Sequence, residues 1–285
     1  MSSETGIGVS VVMLVFERNH FLDRAIRSVL TQDYQDWELI VVDDGGKPET
    51  QLIITANADP RIRYFRRDQP GSVANAYNFA IQRARGRYIA ILDDDDYWLA
   101  ADKLSRQVTF LNGHPEYVGC GGGMVVVDEA SRELMCYFKP ERHEHIQKRA
   151  LLANPMAHST TVFRRCIAGE VQRYDESLPE FQDWDLWLNL AGRGKLYNFP
   201  ELFTGYTLWR GNSSLRRQRR NARSALRIVW RHRQCYGWFP LAIVLAILQY
   251  LYAHLPAFIR NRSYSALSRL KKIAFAERRQ VLPTR

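Results

Sequence analysis

The chain has 285 residues, of which 46% are hydrophobic and 12% aromatic, so it can bury a large core and is expected to be globular. Its four cysteines are scattered without a C-x-x-C pair, so the sequence suggests neither a zinc knuckle nor a disulfide framework and favours a reducing compartment. Residues 210 to 285 contain 17 Lys and Arg and a single acid, Glu277, so their net charge is +16. Residues 1 to 209 contain 23 Lys and Arg and 29 Asp and Glu, so their net charge is −6. An acidic body and a basic tail with different partners are therefore predicted.

The first predicted element is a buried strand from Val9 to Phe16. The segment is apolar, but Glu4 precedes it without any Lys or Arg, and no small-residue cleavage site follows. It therefore does not fit a secretory signal, and a cytoplasmic location is expected. From His20 to Gln32, apolar residues recur along one face of a predicted helix.

Strands and helices continue to alternate as far as residue 92. The sequence predicts a strand over residues 38–46, a weaker helix near residues 50–56 and a strand over residues 61–67. A helix over residues 72–86, closed by Gly86 at its C-cap, and a strand over residues 88–92 follow. Because the strands are apolar, we predict an α/β fold: a Rossmann-like, mostly parallel sheet with helices on both faces.

Two acidic clusters follow strands of this sheet. Asp43 and Asp44 end the second strand, and four consecutive aspartates, Asp93 to Asp96, follow the fourth. Ligands of parallel sheets bind beyond the carboxyl ends of the strands, so the clusters are expected close together. The carboxylates repel each other unless a divalent cation such as Mg²⁺ or Mn²⁺ lies among them, with phosphates and water completing its shell. A solvated acidic loop is the alternative.

Three stretches of the chain carry these and one further acidic motif: VSVVMLVFERNHFLDRAIRSVLTQDYQDWELIVVDDGG, GSVANAYNFAIQRARGRYIAILDDDDYW and FQDWDLWLNLA. In this order they resemble the family 2 glycosyltransferases, which are inverting, sugar-nucleotide-dependent enzymes with the GT-A fold. The resemblance covers roughly residues 8 to 210. It implies a catalytic domain over residues 1–209, with a nucleotide-sugar half of about residues 1–97 and an acceptor half of about residues 98–209.

The resemblance also implies roles for the acidic clusters. Asp44 matches the aspartate that recognises the nucleotide base, and Asp43 stands beside it. Asp93 and Asp95 fit the D-x-D motif, whose second carboxylate holds Mn²⁺ or Mg²⁺ on the diphosphate of the nucleotide-sugar donor. Further members expected at this site are Phe16, Asp94 and Asp96.

The third stretch supplies the predicted base. Replacing a diphosphate at an anomeric carbon by an acceptor hydroxyl requires a group that takes the hydroxyl proton. Asp183 matches the family's base, although Gln182 precedes it where Glu is usual. Asp183 and Asp185 also suit an ordinary helix start, since acids favour the first turn, and Trp184 suits the buried stripe of that helix. Candidates for the acceptor side are His158, Ser159, Trp184 and Asp185, with a structural role for His158 as the alternative.

Departures from the family pattern concern the donor and one loop. The P-T-Y-N-like segment after the first strand is replaced by Leu14, Val15, Phe16 and Glu17, so the resemblance does not identify the nucleotide. Ala100 and Ala101 replace the single proline usual after the metal motif. The run GCGGG (Gly119 to Gly123) lacks the lysine of a P-loop, and it predicts close backbone packing or a turn near the cleft.

The basic tail, residues 210–285, is predicted to be helical. Five arginines recur at helical spacing, as in a cationic amphipathic helix: Arg216, Arg220, Arg223, Arg227 and Arg231. Residues 238–259 are largely apolar but are interrupted by Pro240 and Pro256. We expect the tail to lie at, or insert partly into, an anionic membrane surface. Packing on the catalytic domain or in a homodimer is the alternative, and nucleic acid is disfavoured because the apolar segment has no use there.

These features predict an inverting glycosyltransferase that moves a sugar from a nucleotide-diphosphate donor to an acceptor hydroxyl. The expected acceptor is a lipid-linked saccharide of cell-envelope polysaccharide assembly, because such an acceptor explains a membrane-seeking tail at the cytoplasmic face of the membrane. The rival hypothesis is a non-catalytic sugar-nucleotide-binding scaffold at the membrane. The altered segment after the first strand favours the scaffold, and the intact aspartate motifs oppose it.

Overall fold

The computed structural model describes residues 7–16, 19–45, 47–69, 71–209 and 218–256. The strands are β1 (Val9–Val15), β2 (Trp37–Asp44), β3 (Ile62–Arg67), β4 (Tyr88–Ile91), β5 (Tyr97–Trp98), β6 (Tyr117–Val127), β7 (Glu133–Tyr137), β8 (Val162–Arg164), β9 (Cys166–Ile167), β10 (Glu170–Val171) and β11 (Lys195–Thr207). The helices are α1 (Asn19–Leu30), α2 (Pro48–Ala56), α3 (Val73–Arg83), α4 (Lys103–Gly113), α5 (His143–Arg149), α6 (Gln182–Ala191), α7 (Gln218–Arg231) and α8 (Phe239–His254). Glu17, Arg216 and the tail beyond residue 256 lie outside the described residues.

Within the described residues, nine strands form one sheet in the order β3-β2-β1-β4-β8-β6-β11-β5, with β7 paired to β6. The half β3-β2-β1-β4 is parallel throughout, as predicted. The other half is mixed, because β8 pairs antiparallel with both β4 and β6, while β6 and β11 are parallel. One continuous sheet therefore runs through both predicted halves of the domain.

Helices cover the parallel strands on both faces. β1 sends Val12 into one hydrophobic cluster, shared with α3 and α6, and Val11 into another, shared with α1 and α4. Every residue of β1 is buried. This two-sided burial accounts for the apolar sequence of the strand, in which the one polar residue, Ser10, donates to Glu38.

The predicted end of α3 at Gly86 is wrong. The helix begins after Ser72, whose side chain accepts a backbone N–H of the first turn at 3.1 Å, and Ala84 is already extended. Gly86 lies against β1 instead, where a Cβ atom would approach the Ser10 backbone nitrogen to 2.4 Å. Close backbone packing, and not a helix cap, therefore requires this glycine.

The described part of the basic tail forms two helices that pack on the body. α7 buries Ala225 and Ile228, and α8 buries Ala242 and Ala246, in the same hydrophobic cluster as Trp187 of α6. The inner faces of the tail helices thus pack on the body, and their outer faces are exposed. Among the described residues, no helix is both long and apolar enough to cross a bilayer.

Candidate active site

The two acidic clusters emerge at one edge of the sheet. β2 and β4 both pair with β1 in parallel, so all three strands end on the same side. Asp43 and Asp44 are the last residues of β2, and the aspartate run from Asp93 to Asp96 follows β4. At the end of β1, the Phe16 backbone N–H donates to Asp94 Oδ2 at 3.2 Å. The clusters therefore flank the end of β1, as the parallel topology predicts.

Three carboxylates of the aspartate run converge. Asp93, Asp95 and Asp96 each offer an oxygen within 4.8 Å of the others, and Asp95 and Asp96 are only 5% and 1% exposed. Burial raises the pKa of Asp96 well above its usual range, and the Asp95 and Asp93 carboxylates raise it further. Mg²⁺ and Mn²⁺ prefer oxygen ligands of this kind. These three side chains, the Asp cluster, therefore fit a divalent cation, whose charge opposes the repulsion among them.

Hydrogen-bond donors hold the Asp cluster in place. Asp96 accepts from Ser159 Oγ at 2.5 Å and from the Thr207 backbone N–H at 3.0 Å. Arg24 of α1 donates to the Asp95 carbonyl oxygen at 3.1 Å and to Thr207 Oγ1 at 2.7 Å. The arginine also brings a positive charge to the cluster. Segments from α1 and β11 thus fix the loop that follows β4.

Asp43 and Asp44 lie on the other side of β1. Tyr64 Oη donates to Asp43 Oδ2 at 2.7 Å. Arg67 Nη1 lies 3.3 Å from Asp44 Oδ1, and the Gly71 N–H donates to Asp44 Oδ2 at 3.3 Å. Burial raises the pKa of Asp44, although Arg67 and the Gly71 N–H oppose this effect. Two neighbouring carboxylates, with donors on β3 and before α3, thus form a second polar group at this edge of the sheet.

Phe16 occupies the rim between these two groups of carboxylates. It is the first residue after β1, and its side chain is 49% exposed. A flat apolar ring at this position offers a stacking surface to a planar ligand.

Asp183 lies at the start of α6. Phe181 precedes the helix with φ 60°, a left-handed conformation that is strained for a non-glycine residue. Asn154 Nδ2 donates to Asp183 Oδ2 at 2.6 Å, which orients the carboxylate. Trp184 is buried, and its indole N–H donates to the Ala150 carbonyl oxygen at 2.7 Å. The buried stripe of α6 therefore accounts for Trp184, whereas the Asp183 carboxylate is held by the neutral side chain of Asn154.

An aromatic group links Asp183 with the Asp cluster. Tyr77 Oη donates to Asp93 Oδ1 at 2.5 Å, and its ring stacks on that of Tyr174 with centroids 4.8 Å apart. The His158 ring is edge-on to both, at centroid distances of 5.2 and 5.9 Å. Burial raises the pKa of Tyr174 well above its usual range, and the Asp183 and Asp93 carboxylates raise it further. Tyr174 thus lies within electrostatic reach of both carboxylates, on what we call the aromatic floor (Tyr77, His158 and Tyr174).

The acceptor-side candidates Ser159 and His158 lie in different surroundings. Ser159 is 5% exposed and lies directly beneath the Asp cluster through its bond to Asp96. His158 belongs to the aromatic floor, with Nε2 at 3.4 Å from Tyr174 Oη. Ser159 therefore contacts the Asp cluster directly, whereas His158 contacts Trp187 of α6, with ring centroids 6.1 Å apart.

Asp185 is not brought to the cleft. It is 1% exposed, and its Oδ1 accepts from His232 Nε2 at 2.9 Å and from Arg231 Nη1 at 3.1 Å. Asn189 of the same helix donates to Oδ2 at 3.0 Å. The contacts of Asp185 therefore join α6 to the basic tail.

Four further residues at the site carried no signal in the local sequence: Arg24, Tyr77, Asn154 and Trp209. Asn154 stands in a loop without a recognisable motif, and Arg24 is one polar residue of an amphipathic helix. The Trp209 indole N–H donates to Asp95 Oδ2 at 2.9 Å across 114 positions of the chain. Their partners are distant in sequence, so only the folded chain identifies them.

A family model matches the part of the chain that forms most of this site. Residues 10–171, more than half of the chain, match the model of glycosyl transferase family 2. The chain belongs to glycosyl transferase family 2. The matched region runs from β1 through β10 and includes both acidic clusters, and it ends before α6 and Asp183.

Curated bacterial relatives align over similar parts of this family 2 chain. RP339 of Rickettsia prowazekii, named an uncharacterized glycosyltransferase, is 29% identical over 197 residues, which are 66% of this chain and 60% of that protein. WcaA of Escherichia coli K12, assigned as a colanic acid biosynthesis glycosyl transferase, is 33% identical over 194 residues, 64% of this chain and 66% of that protein. The match thus spans about three fifths to two thirds of the length of these relatives.

A shorter part of the chain aligns with a glycosyltransferase whose name includes a lipid-linked acceptor. WfgD of Escherichia coli is named UDP-Glc:alpha-D-GlcNAc-diphosphoundecaprenol beta-1,3-glucosyltransferase. It is 37% identical over 103 residues, which are 36% of this chain and 40% of that protein.

Solved structures share the fold of the family 2 chain. The mannosyltransferase PcManGT from Pyrobaculum calidifontis, in complex with GDP-Man and Mn²⁺, has a TM-score of 0.64 at 15% identity, covering 95% of this chain and 83% of that one. TarS 1–349 of S. aureus, in complex with UDP-GlcNAc, has a TM-score of 0.63 at 15% identity, covering 93% and 77%. These similarities confirm the predicted GT-A fold class.

Proposed function

We propose that the chain is an inverting, metal-dependent glycosyltransferase that moves a sugar from a nucleotide-diphosphate donor to an acceptor hydroxyl. The observation that carries the proposal is the arrangement of carboxylates around the aromatic floor. The Asp cluster meets the floor through Tyr77 and Asp93, and Asp183 acts electrostatically on Tyr174 of the same floor. One side thus suits a cation and a diphosphate, and the other suits a base.

The donor nucleotide would occupy the side of the cleft formed by β1, β2 and β3. Asp44 and Asp43 would face the base or ribose, where carboxylates accept hydrogen bonds from N–H and O–H groups. Phe16, which is 49% exposed at the rim, would stack on the base. Asp94, held by the Phe16 N–H, completes this side. PcManGT and TarS were each solved with a nucleotide sugar, which supports this donor class.

Asp93, Asp95 and Asp96 would hold the cation, Mn²⁺ or Mg²⁺. Their converging oxygens and the raised pKa of Asp96 support this assignment. When bound, a divalent cation acts as a Lewis acid and neutralises negative charge on the departing diphosphate. The chain itself keeps Asp96 oriented through Ser159 and the Thr207 N–H.

Asp183 would serve as the base. The acceptor oxygen forms a bond to the anomeric carbon while the bond from that carbon to the diphosphate breaks on the opposite face, which inverts the configuration. The acceptor proton passes to the Asp183 carboxylate. Asn154 holds that carboxylate at Oδ2 with a 2.6 Å hydrogen bond, which keeps it aligned for the transfer.

The proposed acceptor is a lipid-linked saccharide of cell-envelope polysaccharide assembly. The name of WfgD includes a diphosphoundecaprenol acceptor, and WcaA is assigned to colanic acid biosynthesis. A lipid-linked acceptor lies in a bilayer, so the enzyme would work as a peripheral or partly inserted protein at its cytoplasmic face.

Asp183→Asn tests the proposal against a non-catalytic scaffold. The amide keeps the shape of the side chain but cannot take the proton, so turnover should fall by about 10² to 10⁴-fold. Binding of the donor nucleotide, measured by calorimetry, should stay unchanged because the donor side is intact. Asp36→Asn is the matched control, since Asp36 is exposed and precedes β2 at the opposite end of the strand from Asp43.

Two results would contradict the assignment. Full turnover in Asp183→Asn would remove the base role from this residue. Loss of turnover without any loss of polysaccharide synthesis in cells would favour the scaffold at the membrane.

A further inference from the structure

The outer face of the tail helices carries a concentrated apolar surface. The described residues include fourteen large hydrophobic side chains that are exposed, and eight of them lie between residues 230 and 255. We call these eight the tail stripe: Trp230, Trp238, Leu241, Val244, Ile247, Leu248, Leu251 and Leu255, which are 39% to 58% exposed. Single exposed hydrophobic residues are ordinary, but a contiguous patch marks an interaction site.

The two faces of α8 are distinct. Its small residues Ala242, Ala246 and Ala253 are buried, and they let the helix approach its neighbours closely. Leu241, Val244, Leu248, Leu251 and Leu255 follow at spacings of three and four residues, so they form one continuous row on the opposite face. Packing on the catalytic domain accounts for the inner face and leaves the outer row without a role.

A row of cationic side chains runs along α7, next to this surface. Arg220, Arg223 and Arg227 are exposed, and among the described residues no carboxylate forms an ion pair with any of the three. The sequence contains no Asp or Glu between Glu201 and Glu277. The tail helices thus combine an apolar row with a row of arginines, and α7 and α8 contain no acidic residue that could neutralise the arginines.

Buried contacts attach this surface to α6, the helix that carries Asp183 in its first turn. Asp185 of α6 accepts from Arg231, the last residue of α7, and from His232, which follows it. Tyr236 Oη donates to the Leu188 carbonyl oxygen of α6. The tail stripe is therefore fixed relative to α6, which carries Asp183 in its first turn.

We propose that the outer face of α7 and α8 docks on an anionic lipid bilayer, with α8 lying in the plane of the interface. The leucine row enters the boundary of the acyl chains, the arginines meet lipid phosphates, and Trp230 and Trp238 lie at the headgroup level, where indole rings are favoured. On the proposed function, this docking would keep α6, which carries Asp183, close to the membrane that holds the acceptor.

Charge decides between the bilayer and a second copy of the chain. A symmetric dimer through the tail stripe brings two rows of like-charged arginines together without acidic partners, which opposes association. An anionic bilayer supplies both the apolar interior and the negative charge.

Cosedimentation of the full-length protein with lipid vesicles tests the proposal without requiring turnover. Vesicles of phosphatidylglycerol and phosphatidylcholine are compared with vesicles of phosphatidylcholine alone. The wild type should bind the anionic vesicles, and Leu248→Asp/Leu251→Asp should weaken this binding by about tenfold or more, because two apolar anchors are lost. The matched control Leu52→Asp/Leu134→Asp adds the same charge at two exposed leucines elsewhere, and it should bind like the wild type.

The arginine row has its own pair of variants. Arg220→Gln/Arg223→Gln/Arg227→Gln should weaken binding to anionic vesicles by about a hundredfold, at roughly fivefold for each cation near the surface. Arg27→Gln/Arg132→Gln/Arg193→Gln removes the same charge at arginines that are paired with acids, and it should have little effect. Point substitutions are preferred to a deletion of the tail, because the deletion would expose the buried Asp185 and disturb the body as well.

Two outcomes would overturn the docking surface. One is vesicle binding that is equal in the leucine variant and the wild type. The other is a wild type that ignores vesicles but sediments as a dimer that the leucine variant dissociates, since a second copy then covers the stripe. Nucleotide binding by calorimetry is read in parallel, so a failure of this surface is distinct from a failure of the proposed catalytic site.

Discussion

Lys103 holds an ionisable amine in the core beneath the candidate site. Its side chain is fully buried, Nζ donates to Gln107 Oε1 at 2.8 Å, and Nζ lies 4.0 Å from the centroid of the Trp98 ring. Burial lowers the pKa of Lys103 to about 7. Trp98 in turn donates its indole N–H to the Ser159 carbonyl oxygen at 2.9 Å, so this amine supports the residue that contacts Asp96.

The lowered pKa of Lys103 predicts a pH dependence of stability. The unfolded chain keeps this proton up to about pH 10, whereas the folded chain loses it near pH 7. The unfolded state therefore binds more protons between these values, and the contribution of Lys103 to the free energy of unfolding rises with pH. Urea unfolding midpoints are measured at both ends of this pH window. The midpoint of the wild type should rise with pH, and that of Lys103→Met should lack this rise. The exposed Lys148→Met is the control, and equal pH dependence in wild type and Lys103→Met would refute the assignment.

At the scale of single residues, the sequence predicts positions better than partners. Asp43, Asp44 and the aspartate run could be placed at strand ends, because an apolar strand followed by carboxylates is a local pattern. Arg24 reaches Asp95 across 71 positions, and Asn154 reaches Asp183 across 29. Such contacts depend on the tertiary fold, so no local pattern indicates them.

β6 illustrates how an element can require glycine without any turn. The run GCGGG lies inside this strand, where a Cβ on Gly122 would approach Phe203 Cδ2 to 2.4 Å and one on Gly123 would approach Phe138 Cε1 to 2.5 Å. Of the two predicted explanations, close backbone packing is therefore correct. The run is a place where neighbouring aromatic side chains lie flat on the strand.

Gly122→Ala should destabilise the fold by about 1 to 3 kcal/mol, because the added methyl group overpacks a buried contact with Phe203. Urea unfolding measures the change. Gly113→Ala is the matched control, since nothing lies within 4 Å of a Cβ atom there, and its effect should be small. A Gly122→Ala protein as stable as the wild type would mean that the Phe203 ring moves aside freely.

Hydrophobic periodicity predicts the strands and helices of the parallel half, but it does not predict where each of them ends. β1 to β4 and the helices between them lie where the sequence predicts them, because two-sided burial demands long apolar runs. The end of α3 was missed because a glycine needed for packing against β1 resembles a helix cap. The antiparallel insertion of β8 between β4 and β6 depends on pairings between distant segments, which periodicity does not reveal.

At the scale of the whole molecule, the net charge changes sign between the body and the tail, but the hydrophobic core extends across this boundary. The tail is basic and the body is acidic, yet α7 and α8 share one hydrophobic cluster with α6. The buried pair of Asp185 and His232, with Arg231 beside it, crosses the same boundary. We therefore expect the described part of the tail to unfold together with the body.

Asp185→Ala tests this coupling. Removing this buried carboxylate leaves the buried His232 Nε2 without its partner, while Arg231 keeps its pair with Asp175, so the free energy of unfolding should fall by about 1 to 3 kcal/mol. Asp23→Ala breaks the exposed pair with Arg27, whose side chains are 47% and 70% exposed, and should cost at most about 1 kcal/mol. Thermal unfolding followed by near-ultraviolet circular dichroism measures both. Similar losses in the two variants would show that the tail is held by its apolar contacts alone.

The central claim is that the Asp cluster binds a nucleotide-diphosphate donor through a divalent cation. Calorimetric titration of a panel of nucleoside diphosphates and their sugars, with and without Mn²⁺, tests it most directly on the wild type, Asp95→Asn and the control Asp36→Asn. We predict that one nucleotide binds only with Mn²⁺, that Asp95→Asn weakens this binding at least about tenfold because a ligand of the ion is lost, and that Asp36→Asn leaves it unchanged. Binding that is independent of Mn²⁺ and of Asp95, or no binding of any nucleotide, would contradict the claim.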